Sequence, residues 1–334
     1  MRMTRMLALG AAVMVLASAC SSGGSSSSSQ TVNGASATAN VATAAVSAMA
    51  SEAPSTAAMN PGDVTIKIGS DGFYESQLMA EIYAQALEAK GYKIDRTGLG
   101  LGARKVTAAA LESGKIDLKP EYIGSGLAFY KGTATGDPKQ NQQALQTAVA
   151  NVGGGITVLD YSPAADQNAF VVTKDTSTKF NLTTLDQVPS VNPPLKLGVA
   201  TDCSTNPVCA AALKSAYGID VSTALPLSAC DQPMVDAIKK GTIQVGELCS
   251  TQPDIAQNGW VVLADDKHTQ PADNIAPLVR NDLLAKVDKT SFDAILNGVS
   301  SKMTTDGLTR LNAEYVFDKK DVATIAREWL TANP

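Results

Sequence analysis

A single histidine and five cysteines limit the chemistry open to this 334-residue chain. Ser/His/Asp, Cys/His and multi-histidine zinc arrangements all need more imidazole than His268 alone supplies. His268 sits in Asp265-Asp266-Lys267-His268 and reads as a solvated surface residue. No nucleophile and base pair is visible, so the chain reads as a binding protein rather than an enzyme, with no cofactor and no metal. Gly98-Leu99-Gly100-Leu101-Gly102 lacks the Gly-Lys-Ser/Thr that completes a phosphate-binding loop and reads as a turn. Four cysteines, Cys203, Cys209, Cys230 and Cys249, form an even set, and in an exported chain an even set points to two disulfides. Of the three pairings, Cys203 with Cys209 and Cys230 with Cys249 is favoured, the first closing a small loop around Pro207. A thiolate metal site competes, although no acid or imidazole cluster accompanies these thiols.

The fifth cysteine explains why export is expected. Arg2 and Arg5 precede an apolar stretch from Met6 to Ala17, and Ala17-Ser18-Ala19-Cys20 follows. That stretch is too short to cross a bilayer and reads as a signal peptide over 1–19 ending at a lipobox. Cys20 is then acylated and becomes the new N-terminus; an unmodified cysteine in an ordinary secreted protein is the competing reading. Residues 20–62 follow as the lipidated cysteine and a Ser/Ala-rich stretch without aromatics. Such a stretch cannot offset its ordering entropy by burial, so it reads as a flexible tether. The 27 Lys and Arg against 32 Asp and Glu give a net charge of −5, which leaves no basic surface for nucleic acid.

The elements that must position any site begin at Asp63. Val64, Ile66 and Ile68 alternate with polar residues as in a strand. Leu78, Met79, Ile82, Tyr83, Ala86 and Leu87 then share one helical face, and Gly91 stands where a C-terminal cap belongs. Further strands are expected at 92–97, 116–118, 195–200, 224–227 and 243–248, and helices at 103–113, 208–217 and 233–240. Residues 156–161 and 169–173 flank Ser162-Pro163, which reads as a crossing between lobes, with Trp260 to Leu263 as the return. The tail from Ser291 reads as three helices separated near Thr304 and Asp318. This alternation predicts α/β architecture in two lobes, 63–168 plus 266–334 and 169–265, with a central cleft. Ligands in such folds meet strand carboxyl ends and helix N-termini.

The stretches IGSDGFYESQLMAEIYAQALEAKGY, ALESGKIDLKPEYIGSGLAFY, AADQNAFVVTKD and VVLADDKHTQPADNIAPLVR resemble the substrate-binding proteins of osmoprotectant ABC importers, the glycine betaine, choline and proline-betaine binders. The resemblance runs from about Asp63 to Trp329. It implies a two-lobed periplasmic-binding-protein fold of type II, closing on its ligand and delivering it to a permease served by ATPase subunits. It also implies a monomer, lipid-anchored on the extracytoplasmic face of the cell membrane. Members hold a quaternary ammonium among aromatic faces, and Tyr122 in Pro-Glu-Tyr-Ile-Gly matches a cleft tyrosine. Asn168 stands where choline binders often carry tyrosine, and Cys249 where an aromatic often precedes Ser250-Thr251. No arginine stands near Asn206 to clasp a carboxylate, which weighs against glycine betaine itself. Phe73 and Tyr74 are candidate replacement aromatics, with a core plug as the alternative for Phe73. Asp71, Asp202 and Asp231 fall at strand ends, where they balance a cation or cap a turn. Arg104 opens a helix and contacts an anionic group or caps the cleft rim; Thr251 completes the expected ligand set. The competing function is a surface lipoprotein that keeps the fold but serves signalling or adhesion.

Overall fold

The computed structural model describes residues 58–334, so the signal peptide, Cys20 and most of the tether lie outside the described residues. The first sheet is assembled from parallel units: β1 (Thr65–Gly69), α1 (Tyr74–Glu88), β2 (Lys93–Gly98), α2 (Arg104–Glu112) and β3 (Leu118–Tyr122). Helices α3 (Ile123–Phe129) and α4 (Pro138–Val149) lead to β4 (Ile156–Val158). The chain then crosses into β5 (Asn168–Val172), followed by α5 (Lys174–Phe180), β6 (Leu197–Ala200), α6 (Ala210–Tyr217), β7 (Leu225–Leu227) and α7 (Gln232–Lys239). Strand β8 (Val245–Cys249), α8 (Pro253–Gln257) and the short β9 (Val261–Val262) complete that half. The return reaches β10 (Ile275–Arg280), then α9 (Asn281–Leu284), α10 (Lys289–Lys302), α11 (Thr305–Val316) and α12 (Val322–Ala332).

Two five-stranded sheets result, ordered β2-β1-β3-β10-β4 and β7-β6-β8-β5-β9. In the first, β1 runs parallel to β2 and β3, and β10 lies antiparallel between β3 and β4. In the second, β6 runs parallel to β7 and β8, while β5 pairs antiparallel with β8 and β9. The face formed by Leu78, Met79, Ile82, Tyr83, Ala86 and Leu87 is buried against the first sheet and the C-terminal helices. Burial of such side chains contributes roughly 1.5–3 kcal/mol each, which is why α1 persists without a side-chain cap at Phe73. The tail forms three helices, and Thr304 and Asp321 cap the second and third through the N–H groups of Gly307 and Thr324.

Two details depart from the sequence reading. Val261 and Val262 are not the return crossing; as β9 they pair with β5 at the edge of the second sheet. Both are β-branched and find a free strand edge there. The return runs after them, and Ala165 bridges Asn274 where the two crossing segments lie side by side. Packing also begins before Asp63: the Met59 N–H donates to the Lys286 carbonyl at 2.9 Å, and Pro61–Asp63 form a 3-10 turn.

Candidate ligand-binding site

Strand ends and helix starts from both sheets face one cleft of about 520 Å³. The wall from the first sheet is built on Lys119, a fully buried lysine on β3. Its Nζ donates to Asp71 Oδ1 at 2.9 Å, Thr107 Oγ1 at 3.0 Å and Glu121 Oε2 at 3.0 Å. Thr107 also donates to Asp71. Glu121 in turn accepts from Arg104 Nε at 3.0 Å, and Arg104 reaches Ser125 Oγ at 2.6 Å. Burial pushes the Glu121 carboxyl up, but Arg104 and Lys119 outweigh it and hold the group below its ordinary value. These two cations and two carboxylates balance, so Arg104 is committed within the wall. Asp273 accepts from the N–H groups of Gly124 and Ser125 at 2.8 and 3.0 Å. Burial pushes it up to about 6, against the pull of Arg104.

The turn between β1 and α1 presents Phe73 to the cleft, its ring 5.6 Å from that of Tyr122 and tilted by 37°. The Gly98 to Gly102 run beside it is a turn: Gly100 takes a left-handed φ of 67° and donates its N–H to Ser70 Oγ at 2.8 Å. Tyr122 lines the cleft with its ring while its hydroxyl donates to Glu75 Oε1 at 2.7 Å. Tyr74 turns elsewhere. Its ring stacks on Tyr315 at 4.9 Å and its hydroxyl reaches Gln252 at 3.3 Å, so it joins the helical tail to the second half instead of facing the cleft. Thr251 also lies behind the wall, bonded to Glu75 and Asp166.

The opposite wall comes from the second sheet. Asp202 and Asp231 are exposed at the ends of β6 and β7, and Asp231 accepts the Gln232 N–H at 2.7 Å as the cap of α7. Glu247, on β8, is buried, accepts the Ala200 N–H at 2.7 Å, and is pushed up to about 7 by burial. The cysteines pair as Cys203 with Cys209 and Cys230 with Cys249. Those bonds consume the thiols, which removes the thiolate metal reading. Asn168 and Cys249 are direct partners in the β5–β8 register. The two positions where the sequence resemblance led one to expect aromatics thus form one patch of the cleft, occupied here by an amide and a disulfide. Asn168 Nδ2 donates to Gln270 at 3.0 Å, tying it to the return crossing.

Seven of the nine expected ligand residues therefore line one cleft: Asp71, Phe73, Arg104, Tyr122, Asn168, Asp202 and Asp231. Sequence reasoning did not single out Lys119, Glu121, Glu75, Asp166, Glu247 or Asp273. Lys119 and Glu121 carried a usable signal, since opposite charges two apart on one strand share a face. Glu75 reads from sequence only as a first-turn acid, and nothing local marks Asp166 or Asp273.

Two sheets, two crossing segments and one cleft walled by both define a two-lobed solute-binding protein of type II topology. The chain belongs to the family described as the substrate binding domain of ABC-type glycine betaine transport systems, whose profile matches residues 64–332. It is 25% identical over 275 residues to the glycine betaine-binding protein YehZ of Escherichia coli, covering 79% of this chain and 89% of that protein. It is 26% identical over 279 residues to the carnitine transport binding protein OpuCC of Listeria monocytogenes, covering 80% of this chain and 87% of that one. A solved glycine betaine/carnitine/choline ABC transporter structure superposes with a TM-score of 0.65 at 25% identity, covering 80% of this chain and 98% of the other.

Proposed function

We propose that this chain is a lipid-anchored, extracytoplasmic and monomeric binding protein that captures a small quaternary amine, such as choline or a betaine, and delivers it to an ABC permease. It does no chemistry on the ligand. The observation that carries the reading is the charge balance of the cleft. Arg104 and Lys119 are spent on Asp71 and Glu121, so the remaining carboxyls on both walls leave the cleft acidic beside the faces of Phe73 and Tyr122. A cation without N–H donors is held by aromatic faces and by such a field. With no uncommitted cation lining the cleft among the described residues, a carboxylate-free ligand of the choline type suits it better than a zwitterion. The lobe boundaries at 168/169 and 265/266 and the anchor at Cys20 belong to the same proposal.

Calorimetry with choline chloride and glycine betaine on the purified chain tests the ligand class, using Tyr122→Phe and Tyr122→Ala. Choline should bind more tightly than betaine. Tyr122→Ala should lose roughly fivefold to thirtyfold, from about 1–2 kcal/mol of ring–cation attraction, while Tyr122→Phe keeps the larger part. No binding of any quaternary amine would remove the reading. The anchor is tested by fractionation: Cys20→Ala should leave the membrane fraction, and unchanged retention counts against lipidation.

A further inference from the structure

Behind Tyr122, two buried carboxyls meet at the crossing between the sheets. Glu75 opens α1, and Asp166 lies on the segment that leads into β5; both are almost fully buried. Thr251, just past β8, lies between them, its Oγ1 2.5 Å from Glu75 Oε2 and 2.8 Å from Asp166 Oδ1. A threonine hydroxyl has one hydrogen. It satisfies one of these contacts as donor, and the other requires a proton on a carboxyl.

The remaining donors decide which carboxyl carries it. Glu75 also accepts from the Tyr122 hydroxyl at 2.7 Å and from Asn312 Nδ2 at 2.5 Å, on β3 and α11. With Thr251 donating to it as well, Glu75 is equipped as a carboxylate. Asp166 receives the Thr251 N–H at 3.1 Å and the Ser250 hydroxyl at 3.4 Å on Oδ1, and its second oxygen takes no hydrogen bond from a described residue. Asp166 lines the cleft, and Glu75 does not. No salt bridge reaches either acid among the described residues. The charges that face the pair are mostly of its own sign. Glu75 and, before β10, Asp273 act on Asp166 with their own negative charge, and Asp71 at the end of β1 faces the neighbouring Tyr122. Arg104 and Lys119, the nearest cations of the wall, are held by Glu121 and Asp71. Burial first, and the Glu75 charge second, push Asp166 well above its ordinary value; burial also raises Glu75, against hydrogen bonds from Thr251, Asn312, Tyr122 and Asp166.

We propose that Asp166 is the counter-ion for the ligand's cationic head, held as a neutral acid in the free protein and ionised on capture, so that each cation bound releases one proton to solvent. This rests on the reading of the ligand as a cation and adds a residue and a linked proton to it. A cation in the cleft supplies the opposite charge that Asp166 lacks, which lowers its hold on the proton. Proton release makes affinity rise with pH, by up to tenfold per pH unit when one full proton is lost. Placed at the crossing, the ionised group also ties ligand occupancy to the segment that joins the two halves.

The test is calorimetry of choline chloride binding to the full-length chain at one pH in two buffers of different ionisation enthalpy, repeated across a pH series. The expected result is a buffer-dependent heat equal to about one proton released, and an affinity that climbs with pH. Asp166→Asn, which keeps the shape of the neutral acid, should fold as stably as wild type, lose the buffer dependence and bind choline more weakly. Glu247→Gln and Asp273→Asn should each keep the proton release, which separates Asp166 from the other two raised carboxyls lining the cleft. Choline binding with equal heats in both buffers overturns the proposal and leaves the ligand class standing. Proton release that survives in Asp166→Asn and vanishes in Glu247→Gln or Asp273→Asn overturns the assignment to Asp166. Absence of choline binding at every pH overturns the cation reading itself, and this proposal with it.

Discussion

The wall from the first sheet buries its charges and pairs them, whereas the wall from the second sheet leaves Asp202 and Asp231 in solvent and is stapled by two disulfides. The cores behind them differ in the same way. The first half is closed by the long buried helix α1 and the three C-terminal helices. The second half has smaller clusters, and one of them includes the Cys203–Cys209 bridge. A small apolar core contributes less, so cross-links that restrict the unfolded chain take up part of the load. The first wall thus arrives with its hydrogen bonds already made, while the second presents a field that acts on whatever enters. Preorganisation and long-range attraction are divided between the two halves.

The contrast breaks most sharply at Lys119. Lys119→Met should cost about 3–5 kcal/mol, because Asp71 would be left buried without a cation and Glu121 with Arg104 alone. Asp231→Asn on the other wall serves as the comparison: asparagine caps a helix as well as aspartate does, so its cost should stay within about 0.5 kcal/mol. Urea denaturation of both variants reads this directly. A Lys119→Met variant as stable as wild type would show that the first wall is not held by its charges.

A second test uses pH. Glu247 rises from 4.5 in the unfolded chain to about 7 in the fold, with burial as the main cause. A carboxyl raised by folding binds its proton more tightly in the native state. Its stabilisation is therefore complete below about pH 4.5 and is lost as pH climbs through about 7, a change of about 3 kcal/mol. Glu247→Gln should flatten that part of the stability profile. The slope that survives should come from Asp273 on the first wall, which follows the same sign up to about 6, and from Asp166, which burial raises in the same sense. An unchanged profile in Glu247→Gln would place the titration elsewhere.

How much of this was legible in the sequence follows the same division. Local signals carried the helical face of α1, the two α/β sets, the three C-terminal helices and the disulfide pairing. Strand β10 did not declare itself, because Pro277 interrupts its pattern and proline ordinarily demotes a central strand. Here Pro277 stands opposite Pro120 of β3, and every residue of β10 is buried. The site was legible where residues follow a strand end, as with Asp71, Phe73, Tyr122 and Asp202. It was not legible where contacts join residues far apart: Glu75 meets Thr251 across 176 positions and Asn312 across 237. Tyr74 shows the reverse failure, since its neighbour Phe73 faces the cleft while its own ring finds Tyr315 on a distant helix.

The smallest expected effect sharpens the comparison furthest. Asp202 is exposed, lines the cleft, and its carboxylate accepts no hydrogen bond from a described residue, so it contributes charge and little else. Asp202→Asn should leave the urea midpoint unchanged within about 0.5 kcal/mol, as surface substitutions usually do. Choline affinity should fall by roughly 1.5-fold to fivefold, the range for a solvent-screened charge pair. The loss should appear mainly at low ionic strength and shrink as salt shortens the reach of the charge below about 10 Å. An effect from Asp202→Asn that is as large in high salt as in low would mean that Asp202 touches the ligand directly, and the second wall would then be a contact surface like the first. An affinity unchanged at any ionic strength would mean that the field of the second wall does not reach the ligand, leaving Asp166, Phe73 and Tyr122 to hold the cation alone.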